Sequence, residues 1–383
     1  MKILALVSAI DLAEPPRATL FWWQLFKNMS AIGVEVIVVP FIGRDVESPW
    51  WTCYPNPAYQ TAKLAYKTIK RSKKRSANVT SKSFAEKVHA DIAVGNLISG
   101  KWEKNVEKIL KKEINIDIVI AFSIPIKPLE RLFRLIKQRG QTLIYYEADM
   151  PEVLPEYNTF GYSYYKKADL SMFDGFLSNS EGVAENLQSM GARNVGTLHY
   201  AVDPEFYSVQ NSAKKVDVLF SGAGSTGRGD LLNKMIIGPS SQSSLHFGVS
   251  GVWKSELPKN ITQFGFVPFR GWLRLNSSSH ITLDVARRGH ADVEGTSTYR
   301  LFELCGLGCT VVTNKRKGIE KWYEPRKEIY VLEEDENPLE VYEQLLSDKE
   351  ALLRMGSLAH ERTLKNHTCM HRALELTNYV NTL

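Results

Sequence analysis

The stretch Asp284-Val-Ala-Arg287-Arg288-Gly-His290-Ala-Asp292-Val-Glu294-Gly-Thr296-Ser297-Thr298-Tyr-Arg300-Leu-Phe-Glu303 concentrates guanidinium groups, hydroxyls and carboxylates. Thr296, Ser297 and Thr298 precede what reads as a helix over 300–307. The first amides of a helix lack intrahelical acceptors and sit at its positive end, so this segment suits a diphosphate. Glu303, further along, is placed to offer its carboxylate to the two hydroxyls of a ribose. Arg287 and Arg288 come just after an apolar run that ends at Asp284. In an open parallel sheet, residues just past the carboxyl end of a strand face the ligand crevice. A second loop of this kind is Ser221-Gly222-Ala-Gly224-Ser225-Thr-Gly-Arg228-Gly. Its small residues let the backbone approach a phosphate, and Arg228 can grip one bidentately. The chemistry indicated is recognition of a nucleoside diphosphate. Each group also has a plainer reading, with Thr296–Thr298 as a helix cap and Glu303 as a surface acid.

Other ligands fit less well. The glycine loop lacks the opening strand and the acid about twenty residues on that a nicotinamide dinucleotide requires, and no Walker lysine pattern occurs. His290 and Asp292 have no spaced partners of a metal site, so no metal is expected. Cys305 and Cys309 are four apart in an apolar run, which matches no common zinc spacing, and they read as core thiols. With four cysteines in all, the chain is expected in a reducing compartment without a disulfide framework.

A second set of acids lies in the first half. Tyr145-Tyr-Glu147-Ala-Asp149-Met-Pro151-Glu152 follows an apolar run, so Glu147 and Asp149 fall at a carboxyl edge. Either can orient or deprotonate an acceptor hydroxyl, or can simply cap the next element. Asp11, Glu14 and Arg17 are candidates on the same ground. Trp22 and Trp23, within a helical pattern, read as core. Trp50 and Trp51, beside Pro49 in a loop, read as acceptor contacts.

The elements that must position these residues alternate from end to end. Predominantly apolar runs at 2–8, 34–40, 116–122, 142–146 and 175–178 read as parallel strands covered on both faces. Helical patterns fall at 19–31, 128–139 and 181–190, the last with capping-box spacing between Ser178 and Glu181. After an irregular stretch at 201–212 a second series follows. Its strands are expected at 216–221, 244–248, 280–284, 309–313 and 329–332, with helices at 300–307, 338–355 and 371–380. At 383 residues the chain accommodates two α/β domains. Boundaries are set at 1–205, for an acceptor-binding domain, and 206–383, for a nucleotide-sugar-binding domain whose last helix packs back on the first. The expected architecture is two Rossmann-like, doubly wound domains facing a central cleft.

Charge and hydropathy narrow the setting. The net charge of +6 suits an anionic ligand without demanding nucleic acid or a membrane. The segment 61–87 is the exception, carrying Lys63, Lys67, Lys70, Arg71, Lys73, Lys74, Arg75, Lys82 and Lys87. It reads as a solvated, partly mobile excursion, or as a basic surface for a polyanion or a lipid headgroup. No apolar run approaches the roughly twenty residues of a membrane-spanning helix, and the N-terminus reads as a strand rather than a signal peptide. A cytoplasmic location is expected.

On these residues the chain resembles the CgeB-like (spore-maturation) glycosyltransferases, relatives of the group-one retaining enzymes of GT-B fold. The resemblance rests on Ile281-Thr-Leu-Asp-Val-Ala-Arg-Arg-Gly-His-Ala-Asp292, Ser297-Thr-Tyr-Arg-Leu-Phe-Glu303 and Gly308-Cys-Thr-Val-Val312. It extends to Ser178-Asn-Ser-Glu-Gly182, Tyr200-Ala-Val-Asp-Pro204 and Asp217-Val-Leu-Phe-Ser-Gly222. It implies a nucleotide-diphosphate sugar as donor, a UDP- or GDP-sugar, transferred with retention to an acceptor hydroxyl or amine and without a cofactor. It assigns Arg228 and Arg287 or Arg288 to the donor phosphates and Glu303 to the ribose. The superfamily places a further glutamate near the donor sugar, eight positions earlier. That position is Gly295, and Glu294 is one residue early. The acceptor is left open between a small molecule, a glycan and modified DNA. Two alternatives stand beside this reading: a DNA-base glycosyltransferase, and a non-catalytic sugar-nucleotide-binding protein on the same scaffold. Donor base contacts are expected near 267–272.

Overall fold

A computed structural model describes residues 1–8, 21–75, 84–149, 154, 168–208, 212–224, 228–253 and 257–383, without the side chains of 70–75 and 84–92. Asp11, Glu14, Arg17, Pro151, Glu152 and Ser225 therefore lie outside the described residues. Two units emerge. The first comprises Met1–Glu14, Trp22–Leu198 and Ala373–Leu383, and the second Pro15–Phe21 and His199–Arg372.

In the first unit the apolar runs become strands β1 (Lys2–Val7), β2 (Glu35–Pro40), β3 (Thr52–Cys53), β4 (Ile118–Phe122), β5 (Thr142–Glu147), β6 (Gly175–Ser178) and β7 (Val195–Thr197). All pair in parallel in the order β3-β2-β1-β4-β5-β6-β7. Ile3 to Val7 and Ile118 to Phe122 are buried without a break, as residues covered on both faces must be. Helices α1 (Phe21–Ala31), α2 (Tyr59–Arg75), α3 (Phe84–Lys112), α4 (Glu130–Gln138) and α5 (Ala184–Ser189) intervene.

Two sequence expectations change here. The described part of the basic segment, expected as a solvated, partly mobile excursion, is helical, in α2 and the start of α3. The stripe Val94, Ile98, Trp102, Val106 and Ile109 holds α3 down, and the Trp102 indole donates to Pro40 O at 2.8 Å. The helix expected from Glu181 starts at Ala184 with Val183 as its N-cap, and Ser178 Oγ donates to Ser180 O instead of capping it.

The second unit has strands β8 (Val216–Ser221), β9 (Phe247–Ser250), β10 (Ile261–Gln263), β11 (Ser279–Asp284), β12 (Val311–Asn314) and β13 (Tyr330–Leu332), again all parallel, in the order β10-β9-β8-β11-β12-β13. Its helices are α6 (Gly229–Leu232), α7 (Gly238–Gln242), α8 (Phe269–Ser277), α9 (Arg288–Asp292), α10 (Tyr299–Gly306), α11 (Pro338–Ser347), α12 (Lys349–Asn366) and α13 (Cys369–Asn381). Residues of α13 from Ala373 onward count with the first unit. One apolar cluster gathers Phe220, Phe247, Leu283, Met235, Tyr342 and Leu352. Another gathers Leu301, Phe302, Val311, Trp322, Tyr323 and Val331, so the sheet has a core on each side.

The single helix expected over 338–355 is two helices. Asp348 divides them, because its Oδ1 accepts from Ala351 N at 2.9 Å and caps α12. At the end of α10, Gly308 takes a left-handed φ of +73°, and a Cβ on Gly306 would lie 2.8 Å from Val202. These two glycines let α10 pass tightly into β12. Among the described residues no two cysteines form a disulfide. Cys305 and Cys309 lie in the core, where burial pushes the Cys309 thiol up to about 12.

Candidate functional site

The second sheet reverses its strand order between β8 and β11. Loops leaving the carboxyl ends of two such strands part to opposite sides, which opens a crevice at that point. The loop of β8 leads to Arg228 and the loop of β11 carries Arg287. A third segment, after β12, carries Arg316.

Arg316 is the anchor of this edge. Its guanidinium bonds the Asp284 carboxylate, with side-chain exposures of 0% and 4%. It also donates to Thr313 Oγ1 at 2.7 Å and to Thr298 Oγ1 at 2.8 Å. The sequence reading missed this residue, although its position just beyond a strand end carries the same signal that flagged Arg287. The pair fixes the start of α10 to the ends of β11 and β12.

Along α10 the next groups are Arg300 and Glu303. Arg300 bonds Glu303 Oε2 at 3.0 Å and lies over the Trp272 ring at 4.6 Å. Tyr207 donates to Glu303 Oε1 at 2.8 Å, and its hydroxyl also meets that of Tyr299 at 3.0 Å. Glu303 is 3% exposed, so it is not the surface acid of the plainer reading. Burial raises its pKa, while Arg300 and the Tyr207 hydroxyl oppose the rise. Both carboxylate oxygens thus have partners in the chain, and a ribose must share or displace them.

Arg228 differs from these. No described residue accepts a hydrogen bond from its Nε, which is buried. Burial, and after it the positive charge of Arg287, pushes this guanidinium down to about 10. Arg300 and Arg316 add to the effect and Asp284 counters it. A cation in such surroundings calls for an anion.

The remaining expected ligands are placed as follows. Thr296 Oγ1 donates to Val293 O at 2.9 Å, Ser297 Oγ accepts from Tyr200 N at 3.1 Å, and Thr298 Oγ1 accepts from Arg316. These contacts hold the loop that leads into α10. Thr298 is the N-cap of α10 without a side-chain cap bond. Arg287 lies 3.3 Å from His290 Nε2, whereas Arg288 is 85% exposed and pairs with Asp292 at 3.1 Å, so of the two only Arg287 belongs to the cluster. Glu294 is on the surface, bonded to Lys321 at 2.8 Å.

Gly222 and Gly224 shape the loop after β8. Their amides donate to Ser250 O at 2.9 Å and Val252 O at 3.1 Å, which ties the loop to the residues after β9. Glycine is required there sterically. A Cβ on Gly222 would press on the Phe220 ring at 2.7 Å, and one on Gly224 would overlap Trp253. Gly251 completes this contact with a φ of +109°, its would-be Cβ 2.5 Å from Gly222 O. Gly251→Ala is expected to destabilise the protein by about 2 kcal/mol or more. Urea unfolding of the variant checks this, and an unchanged midpoint would refute it.

In the first unit, Glu147 at the end of β5 is 5% exposed. Its Oε1 accepts from Ser123 Oγ and from Asp149 N, each at 3.1 Å, which is the capping role. Trp22 packs on Phe122 and Tyr146 in the core. Trp51 is core as well, at 6% exposure with its indole N–H on Val46 O, contrary to its expected contact with an acceptor. Its neighbour Trp50 is half-buried, and Lys27 lies over its ring at 5.8 Å. Among the described residues no group of three or more His, Cys, Asp or Glu is arranged to hold a metal ion, and no helix is long and apolar enough to cross a membrane.

Comparison with known proteins places this geometry in a fold. Residues 232–378 match the family model Glyco_trans_1_2, described as glycosyl transferase-like. No curated protein matches the sequence. Among solved structures, sucrose-phosphate synthase from Thermosynechococcus elongatus superposes with a TM-score of 0.64 at 10% identity, covering 100% of this chain and 99% of that one. Anabaena HepE in complex with UDP and glucose gives 0.59 at 12% identity, covering 100% of both. An alpha-glucosyltransferase in complex with UDP and a 13-mer DNA containing an HMU base gives 0.59 at 14%, covering 99% of both. The chain thus has the GT-B fold, with two Rossmann-like parallel sheets.

Proposed function

We propose that the chain is a glycosyltransferase that binds a nucleotide-diphosphate sugar, a UDP- or GDP-sugar, at the carboxyl edge of its second sheet. The observation that carries this reading is Arg228, a guanidinium whose Nε has no acceptor among the described residues, beside the loop of Arg287. An entering diphosphate supplies that acceptor. Guanidinium groups then neutralise the charge that develops on the leaving nucleotide, the most effective kind of help for such a transfer. The glycosyl transferase-like match over 232–378 and the UDP held by HepE support the assignment.

Retention and the ribose role of Glu303 follow the CgeB-like resemblance, and the acceptor acids and the location follow the sequence itself. The sugar passes with retention to an acceptor hydroxyl or amine, in the cytoplasm. Glu303 takes the ribose by exchanging its Tyr207 bond for a ribose hydroxyl. Glu147 and Asp149 are the acids assigned to the acceptor.

Isothermal titration against UDP, GDP, ADP and TDP tests the donor site. Saturable binding of one of them is expected, and binding of none would sink the reading. Weaker binding of the matching 2′-deoxynucleotide is the expected mark of Glu303 on the ribose. Slow hydrolysis of the cognate sugar nucleotide separates an enzyme from a binding protein.

A further inference from the structure

Helix α2 holds seven Lys and Arg and no Asp or Glu in seventeen residues. The whole chain has a net charge of +6, so everything outside this helix is one unit negative. The positive charge of the protein is therefore a local feature. Ala62 is buried on the inner face, flanked by half-buried Tyr59, Ala65, Tyr66 and Ile69. At a helical spacing of 100° per residue, Lys63 and Lys67 lie about 100° and about 140° around the helix from Ala62. Lys63 and Lys67 are exposed there, and among the described residues neither has a carboxylate partner. Next to them Leu64 is 63% exposed.

We infer that α2 is a docking face for an anionic membrane surface, on which the helix lies in the plane of the headgroups. The charge selects an anionic partner. Leu64 selects among such partners, since a leucine presented between lysines enters the boundary of headgroups and acyl chains but gains nothing from a phosphate backbone. The helix is about 25 Å long, enough to engage several headgroups at once.

Co-sedimentation of the full chain with vesicles tests the inference. Binding is expected to phosphatidylcholine vesicles containing phosphatidylglycerol, to fall steeply with salt, and to be absent with phosphatidylcholine alone. Lys63→Glu/Lys67→Glu is expected to weaken it by about tenfold or more, and Leu64→Ser by severalfold, both with an unchanged unfolding temperature. Failure to bind anionic vesicles would overturn it. So would a Leu64→Ser variant that binds them as well as the parent. Duplex DNA that binds more tightly than the vesicles at the same salt, with the same charge-reversal sensitivity, would overturn it in favour of a nucleic-acid partner.

Discussion

Replacing Arg228 by methionine is expected to lower the affinity for the nucleoside diphosphate by about a hundredfold and, in the same protein, to raise the unfolding temperature without ligand. The affinity loss follows from removing a charge-assisted hydrogen bond to a phosphate, which contributes about 1.5–3 kcal/mol. The gain in stability follows from the same surroundings. The folded state holds this guanidinium below its ordinary value, at about 10, chiefly by burial. The sign is that of a base depressed on folding. The cost of keeping it charged is complete at neutral pH and is relieved only as the pH climbs past about 10. A depression of that size corresponds to roughly 3 kcal/mol, and methionine keeps much of the packing while abolishing the charge. Calorimetric titration and a thermal scan on one preparation read both effects. Unchanged affinity would remove Arg228 from the donor site, and a lowered unfolding temperature would show that its charge is satisfied.

The opposite outcome is expected one strand away. Asp284→Ala leaves Arg316, which has no exposed side-chain surface, without its carboxylate. Breaking one side of a buried ion pair costs about 3–5 kcal/mol, because the remaining charge stays desolvated. It also removes the negative group that counters the positive field at Arg228. Urea unfolding should show the loss, with a much smaller one for Asp284→Ala combined with Arg316→Met, where no lone charge remains. A single variant as stable as the parent would mean that Thr298 and Thr313 suffice to hold Arg316.

The contrast between these two arginines shows what the sequence made legible. Both follow a parallel strand, and the rule that ligands gather at carboxyl ends locates both. It cannot tell which finds a partner inside the chain, because that depends on distances between segments more than thirty residues apart, such as Asp284 and Arg316. For the same reason the loop partners of the Thr296–Thr298 hydroxyls and of the Gly222 and Gly224 amides were not legible. The strands were easier to find. Runs such as 3–7 and 118–122 are apolar without a break, and parallel burial is the simplest state that satisfies them. Long helices with mixed faces were harder. The stripe from Val94 to Ile109 was obscured by the lysines around it, and the break at Asp348 depends on one capping bond inside an otherwise continuous helical pattern.

The last helix has a consequence for how the protein is made. From Ala373 onward it belongs to the first unit, where Tyr379 fills the space left by the missing side chains of Gly175 and Gly196 and its hydroxyl bonds Asn194 O. During synthesis, β1 through β7 leave the ribosome long before the residues that close over β6 and β7. The amino-terminal sheet must wait for the whole carboxyl-terminal one to be translated. A fragment ending near residue 205 would keep that patch open permanently, whereas appending 373–383 to it would supply the missing surface.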